Sequence, residues 1–299
     1  MKHNLVARRI EDQQGVAFSG QAPTTRLEAE TVTRRPQPEG SDHHSVSEVP
    51  FVNVIGAKIA KISREEAAEK IVALAHNRER KYICVASAHS ILEGYDDPRQ
   101  LQILNNAFMT VADGVSLIAA MKLLGNWSLH RSSGTELVHE ICRRGEREGI
   151  KVGFYGASPE CVQLLCEKLK ETYPNLEIVY AVSPPYRELS VEEKRAALAE
   201  MNDSGAHIMF IGLGNPKQEL WIDEHYQHCD SVLIGVGAAF DFISGTKKRA
   251  PYVMRRMGLE WLHRLVLEPK RMWRRNFIHN PRYVGLLLLQ LTGLKKFKV

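Results

Sequence analysis

The first group in this chain able to do chemistry is a carboxylate that closes an apolar run. Phe108 to Ala112 reads as a strand, and Asp113-Gly114 follows it. A carboxylate placed there, spared crowding by the glycine, can act as a general base whose pKa partial burial raises. Asp-Gly is equally an ordinary turn pair. A second candidate is GLGNPKQE, Gly212 to Glu219, where an apolar run turns into a helical one. Gly212 and Gly214 let backbone amides approach a ligand, Pro216 suits a first helical turn, and Lys217 adds a cation at the positive end of the helix. Together they suit a diphosphate, although a plain strand-to-helix turn reads the same way. A dinucleotide fingerprint needs glycine where Lys217 stands, and a P-loop needs a longer spacing before its lysine, so the turn matches neither. GFYGASPE, with Gly156, and GVGAAFDFISG, with Gly237 and Asp241, are two more exits of this kind, and three in one sheet favour a nucleotide cradle. Asp241 either faces that ligand or caps a helix. Ser87 and His89 follow another apolar run and can hydrogen-bond a sugar, but no Gly-x-Ser-x-Gly elbow surrounds Ser87 to make a Ser-His dyad.

These positions depend on a regular alternation of elements. Candidate strands are Val52 to Ile55, Tyr82 to Ala86, Phe108 to Ala112, Lys151 to Tyr155, Leu176 to Val182, His207 to Leu213 and Ser231 to Val236. Between them, Ser63 to Arg78, Gly134 to Gly149, Ser158 to Tyr173 and Ser190 to Asn202 carry helical spacing. Ser63, Ser158 and Ser190 stand where N-caps belong, and Glu66 and Glu193 complete capping boxes for two of them. The Asp96-Asp97 pair before Pro98 reads as a cap after a helix, not as a metal motif. Such alternation predicts an α/β, Rossmann-like fold: a mainly parallel sheet with helices on both faces and a ligand crevice beyond the carboxyl ends of the strands.

Charge divides the chain. From Lys247 to Val299 fourteen Lys and Arg face only Glu260 and Glu268, about +12, whereas the whole chain carries +5, leaving the remainder about −7. Trp261 and Trp273 sit among these cations, and the apolar run Val284 to Leu294 precedes Lys295 and Lys296. That run falls short of the roughly 20 residues a spanning helix needs and suits a lipid interface; packing on the protein's own core is the alternative. Five cysteines, an odd number without CxxC spacing, read as buried thiols in a reducing compartment, with no metal or disulfide role. The first residues lack an apolar secretory segment, so the expected location is the cytoplasm, with any membrane contact on the inner, anionic leaflet. Residues 1–48 read as a disordered leader, 49–246 as the α/β catalytic core, and 247–299 as a basic, amphipathic, helical appendage that associates with membrane.

Taken together, ADG at 112–114, RSSGTEL at 131–137, GLGNPKQE at 212–219, GVGAAFDFISGTKKRAP at 235–251 and GLEWLHRLVLEPKRMWRR at 258–275 resemble the WecG/TagA/CpsF family of bacterial glycosyltransferases. The similarity runs from about Phe51 to Arg282, with the motifs in order. It implies an inverting transferase, independent of metal and of any cofactor. The sugar, N-acetylmannosamine, its uronate or a glucose-type sugar, moves from a UDP-sugar donor to an undecaprenyl-diphosphate-linked acceptor in cell-surface polysaccharide synthesis. By motif position Asp113 matches the family's catalytic base, and Arg264, Arg271 and Arg274 match arginines of a membrane-contacting appendage. The strand exits read above, together with these motifs, make Ser87, His89, Arg131, Gly134, Thr135, Gly156, Gly212, Gly214, Pro216, Lys217, Gln218, Glu219, Gly237 and Asp241 the expected donor-binding set. The chain departs from the family after the first core strand, where Val85-Ala86-Ser87 stands in place of Thr-x-Asn, so the donor sugar is left open.

Single displacement at an anomeric carbon agrees with these residues: one carboxylate takes the acceptor proton, and guanidinium groups can stabilise the departing diphosphate without a metal. Two other classes need parts of the same pattern. A nicotinamide-dependent oxidoreductase also uses a doubly wound sheet, but Lys217 replaces the third glycine, and no acidic residue ends the next strand. A non-catalytic adaptor, bound to membrane or nucleic acid, rests on the basic tail alone; without an extended basic groove, nucleic acid is not expected. Self-association is a further expectation of the family.

Overall fold

The two hydrophobic periods of the chain resolve into strands and helices in the order the pattern demands. The computed structural model describes residues 46–126, 133–248, 250, 251, 254 and 260–299, without the side chains of 260, 264, 271, 272 and 275. The chain divides into two units, Met1–Val46 and Ser47–Val299, and the second contains the sheets and their helices. Six strands form one parallel sheet. They are β3 (Tyr82–Ala86), β4 (Met109–Ala112), β5 (Val152–Gly156), β6 (Ile178–Val182), β7 (Ile208–Gly212) and β8 (Val232–Gly235), side by side in the order β4-β3-β8-β7-β5-β6. Because the inner strands β7 and β8 are buried on both faces, they carry the near-continuous apolar runs IMFIG and VLIG.

The first expected strand does not join this sheet. Phe51–Val54 (β1) pairs antiparallel with Ala57–Ala60 (β2) in a separate hairpin. Its turn places Ile55 at φ 52° and Gly56 at φ 90°; a β-branched residue in that region is costly, which is why the sequence gives no hairpin signal there.

Helices cover both faces. On one side lie α1 (Arg64–His76), α5 (Gly134–Glu148), α6 (Pro159–Thr172) and α9 (Ala239–Ser244), with α1 against α5 and α9 against both α5 and α6. Phe154 and Phe210 stack on this face at 5.3 Å between centroids, and Phe240 meets Phe154 edge-on at 5.5 Å. The other side carries α2 (Ala88–Asp96), α3 (Pro98–Asn106), α7 (Val191–Asp203) and α8 (Lys217–His225); Tyr155, Met209, Ile211 and Leu233 pack there with Met201, Trp221 and Ile222. A further helix, α4 (Val115–Leu123), follows β4.

The helix starts follow local chemistry. Ser63, Ser158 and Ser190 each accept a backbone N–H three residues on, and Glu66 and Glu193 close reciprocal capping boxes. Asp97 caps α3 by accepting from the Arg99 N–H at 2.9 Å. Four of the five cysteines are buried, with Cys166 partly so, and all are free thiols.

The chain ends in α10 (Glu260–Leu267), α11 (Pro269–Arg274), a π-helical turn (Arg275–His279) and α12 (Asn280–Leu291). No helix among the described residues is long and apolar enough to cross a membrane.

Candidate active site

At the carboxyl edge of the sheet, the strand exits are tied to one another in sequence of position. At the β4 end, the Asp113 N–H donates to the Ala86 carbonyl at 2.7 Å, fixing the β4 exit against that of β3. Asp113 is half-buried, and Gly114 beyond it turns the chain at φ 89° into α4 with open space where a side chain would stand. Ser87 is the N-cap residue of α2; its N–H donates to the Ser90 Oγ at 3.1 Å, and the two hydroxyls lie 3.4 Å apart. His89 directs Nε2 at the Glu93 carboxylate, 3.3 Å away, and meets the ring of His279 edge-on at 5.3 Å. Gly134 opens α5 so close to the β8 exit that a Cβ there would lie 3.1 Å from the Val236 carbonyl oxygen and 3.7 Å from Val85, while Thr135 beside it is buried.

Toward the other edge the glycines serve close packing. A Cβ at Gly156 would lie 2.5 Å from the Gly212 carbonyl carbon, and one at Gly212 would lie 2.5 Å from the Phe240 ring. Only glycine lets the β5 and β7 exits touch with Phe240 beneath them. The Ala157 N–H then donates to the Gly212 carbonyl at 3.1 Å, and Ser183 Oγ, after β6, donates to the Ala157 carbonyl at 2.6 Å. Gly214, at φ 80°, has open space around its Cβ position. The Asn215–Pro216 peptide is cis, Pro216 is the N-cap residue of α8, and Lys217 begins the helix.

Gln218 and Glu219, in the first turn of α8, face inward. Gln218 Oε1 accepts from the Gly237 N–H at 2.9 Å and Nε2 donates to Glu219 Oε1 at 2.9 Å, so one buried amide joins the exits of β7 and β8. The Gly237 amide is thereby occupied. Burial pushes the Glu219 carboxyl up from its ordinary value, opposed by the hydrogen bond from Gln218. Its Oε2 and the Asn215 Oδ1 are both buried. Asp241, in α9, accepts from Lys247 Nζ at 2.7 Å and lies 3.9 Å from the Cys161 thiol.

The expected site residues thus fall into three neighbouring groups. Asp113, Ser87, His89, Gly134 and Thr135 lie at the β4, β3 and β8 end. Gly212 to Glu219 and Gly237 line the β7 and β8 exits, and Gly156 and Asp241 stand beside β5. Arg131 and the side chains of Arg264 and Arg271 lie outside the described residues. Arg274 is exposed, its guanidinium 5.6 Å from the Trp273 ring centre. His279 is the contact that sequence reading misses: nothing in its spacing announces that it meets His89.

The C-terminal helices have two unlike surfaces. Tyr283 and Leu287 are buried in the core cluster, and Gln290 completes the stripe by accepting from the Ile55 N–H and donating to the Asn53 carbonyl, each at 2.8 Å. Arg282 pairs with Asp96, and Lys295 Nζ donates to the Tyr95 hydroxyl at 2.6 Å. Val284, Leu288 and Leu291, one residue further on at each step, are exposed, as are Trp261, Val266, Trp273, Phe277 and Ile278. In the apolar run, then, one stripe packs on the core, as the alternative reading has it, and the other faces outward.

A model of the glycosyl transferase WecG/TagA/CpsF family matches residues 52–297. A protein of Bacillus spizizenii named N-acetylglucosaminyldiphosphoundecaprenol N-acetyl-beta-D-mannosaminyltransferase is 31% identical over 209 residues, covering 69% of this chain and 78% of the relative. One of the same name from Staphylococcus aureus is 30% identical over 228 residues, covering 75% of this chain and 87% of the relative. A match over residues 52–297, on a parallel sheet flanked by helices, shows that the chain belongs to the WecG/TagA/CpsF family of glycosyltransferases.

Proposed function

We propose that this enzyme moves a sugar from a UDP-sugar to an N-acetylglucosaminyl-diphosphoundecaprenol acceptor, with inversion at the anomeric carbon and without a metal. The acceptor is that of the named relatives. The observation that carries the reading is Asp113, a half-buried carboxylate at the carboxyl edge of the sheet beside the open space at Gly114. In the reaction the acceptor hydroxyl oxygen attacks the anomeric carbon, the bond from that carbon to the diphosphate breaks, and UDP departs with the bonding electrons. Asp113 takes the hydroxyl proton. Arg264, Arg271 and Arg274 are proposed to stabilise the leaving diphosphate through charge-assisted hydrogen bonds, the part a metal plays elsewhere.

The outward stripe Val284, Leu288 and Leu291, with Trp261, Trp273 and the surplus of cations, supports peripheral docking on an anionic membrane surface, where a polyprenyl acceptor resides. Docking of α12 on the hairpin and on the far end of α2, and the contact of His279 with His89, tie these helices to the catalytic core.

The test is turnover of a panel of UDP-sugars, following UDP release with and without an undecaprenyl-diphosphate-GlcNAc analogue and with and without EDTA. Acceptor-dependent, EDTA-resistant release from one donor is the expected result and identifies the sugar. Release abolished by EDTA overturns the metal-free mechanism, and UDP binding with no turnover of any donor overturns the acceptor.

A further inference from the structure

Tyr186 is fully exposed, at 102% of its reference area, and contributes nothing to the core. Its mount is nevertheless built. Pro184 and Pro185 fix two φ angles immediately before it, and the Arg187 N–H donates to the Pro185 carbonyl at 2.8 Å. Ser183 ties one end of the loop to the β5 exit through the Ala157 carbonyl at 2.6 Å. At the other end the Arg187 guanidinium grips Glu193 with contacts of 2.7 and 2.5 Å, and Glu193 itself closes the capping box of α7. Lys217, at the β7 exit, holds its ammonium 5.4 Å from the centre of the Tyr186 ring. An aromatic face held out into water on an anchored loop beside a cation needs little further ordering to stack on a flat ring.

The order of strands says which ring. Asp113 leaves β4 at one edge of the sheet, and Lys217 follows β7, with β3 and β8 between. Three strand spacings of about 4.8 Å put roughly 14 Å between those exits. That is the span of an extended nucleoside-diphosphate sugar. With the reacting sugar at Asp113, the far end of the donor, its base, reaches the Lys217 and Tyr186 side, and the diphosphate crosses the β3 and β8 exits between.

Resting on the UDP-sugar proposal, we propose that Tyr186, set beside Lys217 on the loop after β6, is the stacking platform for the nucleobase of the donor. Tyr186 is then a binding residue that fixes donor register along the rim, and the hydroxyl of the ring is dispensable.

The experiment is calorimetric titration of the full chain, wild type, Tyr186→Ala and Tyr186→Phe, with UDP and separately with inorganic pyrophosphate. Tyr186→Ala is expected to weaken UDP on the order of tenfold, as loss of one base–aromatic stack does. Tyr186→Phe stays within about twofold of wild type, and pyrophosphate affinity is the same in all three. UDP bound equally by wild type and Tyr186→Ala overturns the platform and leaves the donor reading intact. Parallel loss of UDP and pyrophosphate overturns it by moving the contact to the diphosphate, and a Phe variant as weak as Ala overturns it by assigning the contact to the hydroxyl. Wild type that binds no UDP removes the donor reading and the platform with it.

Discussion

The rim of the sheet and the C-terminal helices are both rich in residues that sequence reading singles out, yet they use them in opposite ways. Along the rim, polar groups are largely spent on the protein itself: Gln218 binds the Gly237 amide, Glu219 receives Gln218, and Gly156 and Gly212 exist for each other and for Phe240. The C-terminal helices instead keep an apolar stripe and exposed cation–aromatic contacts that the fold leaves uncovered, while a second stripe, one residue away, is fully committed. On the proposed function, Asp113 is the group on this rim that takes the acceptor proton. On the same proposal, the exposed stripe of the tail is the surface that a membrane covers. By that proposal, chemistry resides in the first and location in the second.

That division is broken most directly at Asp113. Asp113→Asn keeps the shape and removes the base, so kcat is expected to fall at least ~10²-fold with UDP affinity within about twofold. Steady-state turnover beside calorimetric UDP binding checks it. A near-wild-type rate makes Asp113 a turn residue and takes the chemistry away from the rim.

In the tail, adjacent leucines should show opposite phenotypes. Leu287 is buried in the core cluster and Leu288 is exposed. Leu287→Ala is expected to cost about 2–5 kcal/mol of stability in urea unfolding, the range for truncating a buried leucine. Leu288→Ser should change stability by no more than about 0.5 kcal/mol. Its affinity for anionic vesicles should drop roughly tenfold, as expected when one leucine side chain no longer enters the apolar layer. Sedimentation with vesicles at matched folded fraction reads the second effect. Equal behaviour of the two variants abolishes the distinction between the stripes.

Gln290 sharpens the same comparison, because it is the polar member of the docked stripe. Gln290→Ala leaves the Ile55 N–H and the Asn53 carbonyl without partners at a part-buried contact and should cost about 1–3 kcal/mol, with vesicle affinity unchanged.

How much of this was legible in the sequence depends on the range of the interactions. Strand Tyr82–Ala86 and the caps Ser63, Ser158 and Ser190 are local events, written in adjacent residues, and the structure has them where the pattern places them. The β1–β2 hairpin is not legible, because its turn uses Ile55 in a region normally left to glycine or asparagine. Glycine clusters mark strand exits correctly, but the pattern does not say that Phe240 fills the space at Gly212; that needs the third dimension. Gln290 reads as a polar interruption of an apolar run, and its partners lie 235 and 237 residues away. Short-range codes reveal the scaffold, and long-range contacts decide which face of the tail is free.

The smallest expected effect is at the amino end of the sheet, which by this division should bear on stability and not on catalysis. His207 precedes β7; its Nδ1 accepts from the Lys151 N–H at 3.3 Å, which requires the neutral ring with its proton on Nε2. Burial, with Arg78, Lys151 and His76 nearby adding positive charge, lowers its pKa from 6.5 to about 4. Between those values the unfolded chain takes up a proton that the folded protein refuses, so stability falls as pH drops from about 6.5 toward about 4 and gains nothing from this group above it. His207→Asn cannot titrate and should flatten that part of the profile in urea unfolding followed at pH 4.5 and 6.5. Its turnover at neutral pH should match wild type, since His207 lies a full strand length from the rim. A slope unchanged by the substitution shifts the acid sensitivity to other groups. A loss of turnover without loss of stability shows that the amino end also tunes the site.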